Sequence, residues 1–209
     1  MLSEQIEKIL RKLEGFREYE IQREEMGEIL TKEKRSLAIP RDEGKFLYLL
    51  ARAIEAKLIV EIGTSFGYST IWLAAAVQSH GGRIISYDIL PEKIEAASKS
   101  LLEAGLKQNV ELIQGDAKTL FKQISEPVDI VFLDADKADY PEFMELSLNK
   151  LRVGGILLSD NVLDCKVIHK DDPEVCEEIT SYLSRHPKIM TVTLPFMPNG
   201  LEMTLKIAD

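Results

Sequence analysis

The chain has 209 residues, 45% of them hydrophobic, and a formal net charge of −9. That length suits one domain with a sizeable core, and the acidic balance argues against a broad nucleic-acid surface, because phosphate contacts are carried by Lys and Arg. No run reaches the roughly 18 apolar residues of a membrane span, and the opening Met-Leu-Ser-Glu-Gln-Ile-Glu-Lys lacks the apolar core of a signal peptide.

Residues 3–30 carry Ile6, Ile9, Leu10, Leu13, Phe16 and Tyr19 as an apolar stripe at helical spacing. Residues 1–35 therefore read as a helical arm that covers the domain or pairs with a second subunit, and a homodimer is expected. A second amphipathic helix is expected over 42–56, with Pro40 near its start and Phe46, Leu47, Leu49, Leu50 and Ala53 inside. From Lys57 strands are expected near 58–62, 83–88, 109–113, 128–133 and 155–159. Helices are expected near 68–79, 91–104, 117–124, 139–150 and 173–185. Such alternation predicts a single α/β domain, a mostly parallel sheet with helices on both faces. The runs 189–194 and 201–207 are joined only by a turn region with Pro195, Pro198, Asn199 and Gly200, so they are expected to pair antiparallel. Cys165 and Cys176 lack CxxC spacing and read as reduced thiols of a cytoplasmic protein. With His80, His169 and His186 scattered, a zinc site is not expected.

The segment Leu-Ile-Val-Glu-Ile-Gly-Thr-Ser-Phe-Gly-Tyr-Ser-Thr-Ile-Trp (58–72) is the most informative. A buried strand runs into a turn bracketed by Gly63 and Gly67, and a helix opens at about 67–68. Strand, glycine turn and helix present backbone N–H groups to a nucleotide-like ligand. Ser65 breaks the dinucleotide pattern G-x-G-x-x-G, and Glu61 would repel a pyrophosphate. An acid there favours a cationic cofactor, such as the sulfonium and ammonium of S-adenosylmethionine.

Open α/β sheets bind ligands at the carboxyl ends of their strands. Asp88 ends the second strand, where a carboxylate can accept from a ribose diol; Asp116 follows the third, where it could meet an adenine amine. Either acid could instead cap the next helix. The fourth strand ends at Asp134-Ala-Asp136-Lys137 and the fifth at Asp160-Asn161. Converging carboxylates repel unless a cation or proton lies between them. The all-oxygen set Asp134, Asp160 and Asn161 suits a hard ion such as Mg²⁺, with Mn²⁺ or Ca²⁺ as alternatives. Lys137 could equally form a surface ion pair.

These motifs in this order, Glu-Ile-Gly-Thr-Ser-Phe-Gly-Tyr-Ser, Asp88, Gly-Asp-Ala (115–117), Leu-Asp-Ala-Asp-Lys (133–137) and Asp-Asn (160–161), resemble the cation-dependent O-methyltransferases, the caffeoyl-CoA and catechol O-methyltransferase family. The resemblance covers about residues 36–209 and implies a Rossmann-like, seven-stranded methyltransferase fold. It implies that Glu61, the backbone at Gly63 and Thr64, and Ser69 hold the methionine part of S-adenosylmethionine. Asp88 would bind the ribose, Asp116 and Ala117 border the adenine, and Ile39 give a backbone contact in place of a threonine. Asp134, Asp160 and Asn161 would hold the cation, Asp136 lie beside the cofactor's amino-acid end, and Lys137 act as base. The chemistry is coherent: a metal lowers the pKa of a phenol, about 10 when free, and fixes a vicinal diol. A lysine beside a cation is pushed toward its neutral form.

The expected substrate is a small catechol-like aromatic. Val162-Leu-Asp-Cys-Lys166 stands where plant members carry Trp-Asn, and Pro198-Asn-Gly200 replaces Gly-Asp-Gly, which argues against a CoA thioester. Some bacterial relatives methylate a wobble hydroxyuridine in tRNA, and Lys34, Arg35, Arg41, Lys166 and Lys170 would serve that alternative. A non-catalytic dimeric scaffold is the alternative of another class; it would have no use for Asp134, Lys137, Asp160 and Asn161 together.

Overall fold

A computed structural model of the chain describes residues 2–162, 186–195 and 200–209. In chain order the elements are α1 (Glu4–Glu25), α2 (Arg41–Ala53), β1 (Leu58–Ile62), α3 (Tyr68–Val77), β2 (Arg83–Asp88), α4 (Pro91–Glu103), β3 (Val110–Gln114), α5 (Ala117–Leu120), β4 (Val128–Leu133), α6 (Tyr140–Lys150), β5 (Leu151–Ser159), β6 (Ile189–Leu194) and β7 (Leu201–Lys206). The seven strands follow the order β3-β2-β1-β4-β5-β7-β6. The β1–β4, β2–β3 and β4–β5 pairs are parallel, and β7 runs antiparallel to both β5 and β6. The expected mixed sheet and closing antiparallel pair are present; the helix expected at 173–185 and both cysteines lie outside the described residues.

The chain divides into two compact units. The first comprises residues 1–56 and 64–115. Ser3 caps α1 by accepting from the Ile6 N–H, and Ile6, Ile9, Leu10 and Leu13 are buried where α1 meets α3 and α4. The arm therefore covers its own unit. Polar contacts fasten it: Arg41 pairs with Glu7 and Glu14, Tyr68 donates to Glu14 at 2.6 Å, and Gln5 donates to the Glu103 carbonyl at 2.6 Å. The stripe's far end, Phe16 and Tyr19, stays exposed. On α2, Gly44 is required by packing, since a Cβ there would meet the Trp72 ring at 2.3 Å.

The second unit comprises residues 57–63 and 116–209. Every residue of β1 and β4 is buried. Full burial of one Val, Leu, Ile or Phe is worth about 1.5–3 kcal/mol, which is why apolar runs this short hold as inner strands. Asp129 locks the N-terminal ends: it accepts from the N–H groups of Lys57 and Leu58 at 2.7 and 2.9 Å and from Arg152 Nε at 2.6 Å.

Candidate functional site

The second unit's site begins where its parallel strands end. The Asp134 N–H donates to the Ile62 carbonyl and the Asp160 N–H to the Leu133 carbonyl, each at 2.9 Å. These bonds carry both ladders one step beyond the strands, so Asp134 and Asp160 emerge at neighbouring strand ends as expected. Gly63 is fixed by the same approach. Its φ is +106°, and a Cβ there would lie 2.0 Å from the Asp134 carbonyl oxygen, so only glycine fits.

Asp160 is buried, and Asn161 follows with φ of 56°, left-handed for a non-glycine residue. That turn brings the Asn161 N–H to Asp160 Oδ1 at 2.6 Å. Burial pushes the Asp160 carboxyl up to about 7, and the like charge of Asp134 adds to the shift. Asp134 is also raised, by desolvation, although 24% of its side-chain surface is exposed; Lys137 opposes the shift. Two neighbouring acids both raised by burial, with the charge of Asp134 adding to the shift on Asp160, are a donor set suited to a divalent cation. Among the described residues no group of three or more His, Cys, Asp and Glu side chains forms a metal cage. What stands at these strand ends is two carboxylates, with Asn161 next in the chain after Asp160.

Lys137 is buried with its Nζ 3.9 Å from Asp134 Oδ1. The surface ion pair considered for it is therefore an interior one. Nζ donates to the Ala135 carbonyl at 3.3 Å and to the Tyr140 hydroxyl. Tyr140, fully buried, has its hydroxyl 2.9 Å from the Asp160 carbonyl and 3.1 Å from the Leu133 carbonyl. One phenol thus joins the lysine to the backbone of both strand ends. The sequence reading missed Tyr140; its signal was the i, i+3 spacing from Lys137 at a helix start.

The other expected cofactor residues of this unit are divided. Glu61 is fully buried on β1 and Ala117 is buried at the start of α5. Asp116 is exposed and caps α5, accepting from the Lys118 N–H at 2.9 Å. Asp136 is exposed and accepts from the Ala138 N–H at 3.3 Å, starting the turn 137–139.

In the first unit, Thr64 and Ser69 are buried beside the turn that opens α3, and Gly67 at its start has φ of +84°. Thr64 Oγ1 is 2.6 Å from Ser86 Oγ, and its N–H donates to the Tyr87 carbonyl. Asp88 is not the cap of α4, which begins after Leu90. Its carboxylate accepts from the Ser65 N–H at 2.9 Å and from the Leu90 N–H at 3.0 Å. Ile39 is buried.

Comparison with known proteins bears on family and fold. The family model described as O-methyltransferase matches residues 17–207. A catechol O-methyltransferase of Niastella koreensis is 38% identical over 144 residues, 66% of this chain and 65% of that protein. One of Mycobacterium tuberculosis is 38% identical over 128 residues, 61% of this chain and 58% of that protein. The aligned region thus spans less than two thirds of either relative. Among solved structures, the O-methyltransferase TomG of Streptomyces achromogenes, in complex with S-adenosylmethionine, has a TM-score of 0.80 at 28% identity, covering 100% of this chain and 92% of that one. An O-methyltransferase of Bacillus cereus in complex with S-adenosylhomocysteine has a TM-score of 0.78 at 26% identity, covering 99% and 92%. The chain carries the Rossmann-like methyltransferase fold and belongs to the O-methyltransferase family.

Proposed function

We propose that the protein transfers the methyl group of S-adenosylmethionine to one hydroxyl of a small vicinal-diol aromatic, with a divalent cation at Asp134, Asp160 and Asn161. The observation that carries this reading is the pair of desolvated carboxylates at the neighbouring ends of β4 and β5, with Lys137 3.9 Å from one of them. When bound, the cation supplies Lewis acidity that makes a coordinated hydroxyl easier to ionise. The chain's own residues do the rest. Asp134 and Asp160 gather the diol's oxygens at one place, which fixes its orientation. Lys137, as the neutral amine, stands beside Asp134 to take the hydroxyl proton, and Tyr140 keeps its Nζ on that side. Glu61 is the acid for the cofactor's cationic end, and Asp88 the acceptor for its ribose.

The names of the catechol-methylating relatives support the substrate class. Of the basic residues that would serve tRNA, Arg35 pairs with Glu24 at 3.0 Å, and Arg41 with Glu7 and Glu14. Lys166 and Lys170 lie outside the described residues. No helix among the described residues is long and apolar enough to cross a membrane. The burial of Ile6, Ile9, Leu10 and Leu13 within their own unit removes the motive for a dimer drawn from them; a homodimer contact on α1 would use Phe16 and Tyr19. The test is label transfer from methyl-tritiated S-adenosylmethionine to a catechol panel and to bulk tRNA, with and without chelator. Chelator-sensitive labelling of a catechol is expected; labelling of tRNA alone would reassign the substrate, and labelling of neither would remove the reading.

A further inference from the structure

Lys93 is a buried charge for which methyl transfer has no direct use. It is 2% exposed on the inner face of α4, in line with Ala97 and Leu101. Lysine is almost never buried this far unless its ammonium is provided for. Desolvation lowers its pKa, while the negative charges of Asp88 and Glu20 work against that shift. Its Nζ donates to the Arg35 carbonyl and, at 3.0 Å, to Ser65 Oγ, and lies 4.6 Å from the centroid of the Phe66 ring.

Two of these contacts, to Ser65 and Phe66, lead to one turn. Ser65 has φ of 47°, uncommon for a residue with a side chain. Its hydroxyl is held from two sides, donating to the Ser36 carbonyl at 2.5 Å and accepting from Lys93. Held so, Ser65 aims its N–H at Asp88 Oδ2, 2.9 Å away. Ser36 is itself gripped by α1: its N–H donates to Glu20 Oε1 at 2.7 Å and its hydroxyl to Glu20 Oε2 at 2.9 Å. The chain of contacts runs from the N-terminal arm through Ser36 and Ser65 to the carboxylate of Asp88, and Lys93 closes it from below.

We propose that Lys93 is a positioning residue for cofactor binding: by holding Ser65 in its turn it presents the Asp88 carboxylate to the ribose diol, with Glu20 of α1 as the far anchor. This rests on the reading of Asp88 as the ribose acceptor of S-adenosylmethionine. It gives the N-terminal arm a part in ligand affinity as well as in covering the unit.

The test is calorimetric affinity for S-adenosylhomocysteine, which needs no turnover, in wild type, Lys93→Met, Asp88→Ala and the double variant. Lys93→Met is expected to weaken binding about 10-fold, the scale of one charge-assisted hydrogen bond, and to add nothing once Asp88 is gone. Ser65→Ala runs through the same cycle and serves in its place if Lys93→Met does not fold. Affinity within twofold of wild type would overturn the proposal. So would the same penalty in the Asp88→Ala background, because Lys93 would then support the fold and not Asp88. No binding by the wild-type chain would overturn the cofactor reading itself and this inference with it, a result distinct from the other two.

Discussion

Asp129 and Asp160 sit at opposite ends of neighbouring strands in the second unit and are treated in opposite ways. Asp129, on β4, receives two backbone N–H groups and Arg152, and these hold its carboxyl below the usual range against the cost of burial. Asp160, just past β5, is buried against another acid and is pushed up to about 7. An acid that the fold satisfies is part of the scaffold. An acid that the fold leaves short of positive charge marks where a ligand supplies it.

The largest expected effect lies at the unsatisfied end. Asp160→Ala abolishes metal-dependent turnover while S-adenosylhomocysteine affinity stays near wild type by calorimetry; turnover retained at high Mg²⁺ would show that Asp160 is not a ligand. Lys137→Ala lowers kcat by roughly 10²–10⁴-fold with less effect on KM. The deficit should shrink in a pH–rate profile toward high pH, where the substrate hydroxyl ionises unaided; a constant deficit would assign the lysine to positioning. Tyr140→Phe keeps the ring and removes the bridge to both strand ends, so kcat should fall about 10-fold, and the melting temperature should fall by a few degrees as buried carbonyls lose a donor.

The smaller effects concern stability and test the comparison directly. The folded pKa of Asp129 is depressed, so its contribution is present above the unfolded value of about 3.9 and is lost as pH falls through the folded value. Asp129→Asn should cost about 1–3 kcal/mol at neutral pH and progressively less as pH falls below about 4, by urea denaturation. The folded pKa of Asp160 is raised, so its favourable contribution is present below about 4 and lost as pH rises through about 7. In metal-free protein Asp160→Asn should therefore raise Tm at pH 8 and change it little at pH 4. Shifts of the same sign for the two variants at neutral to alkaline pH would break the contrast.

How much of this was legible in the sequence varied with how local its cause was. Strands 58–62, 83–88 and 128–133 agree to the residue, because each is an apolar run closed by Gly or Asp. The strand expected at 155–159 starts earlier, at Leu151: Arg152 and the glycines Gly154 and Gly155 hid it, and the pairing with β4 shifts register between Val128 and Ile130. The helix expected over 117–124 is α5 to Leu120 followed by a tighter turn at 121–123. That Asp134 and Asp160 stand at neighbouring strand ends was legible, because paired parallel strands end on the same side of a sheet. The Lys93–Ser65–Ser36 chain was not, since it joins three distant segments. Its one local trace was a lysine at i, i+4, i+8 spacing with Ala97 and Leu101 on the buried stripe of α4.

Whether the acids beyond β4 and β5 hold a divalent cation is decided by titrating Mn²⁺ into the protein at pH 7.5 with S-adenosylhomocysteine present. One site is expected in the wild-type chain, lost in Asp160→Ala and kept in Asp129→Asn. Equal Mn²⁺ binding by wild type and Asp160→Ala, or none by wild type, would contradict it.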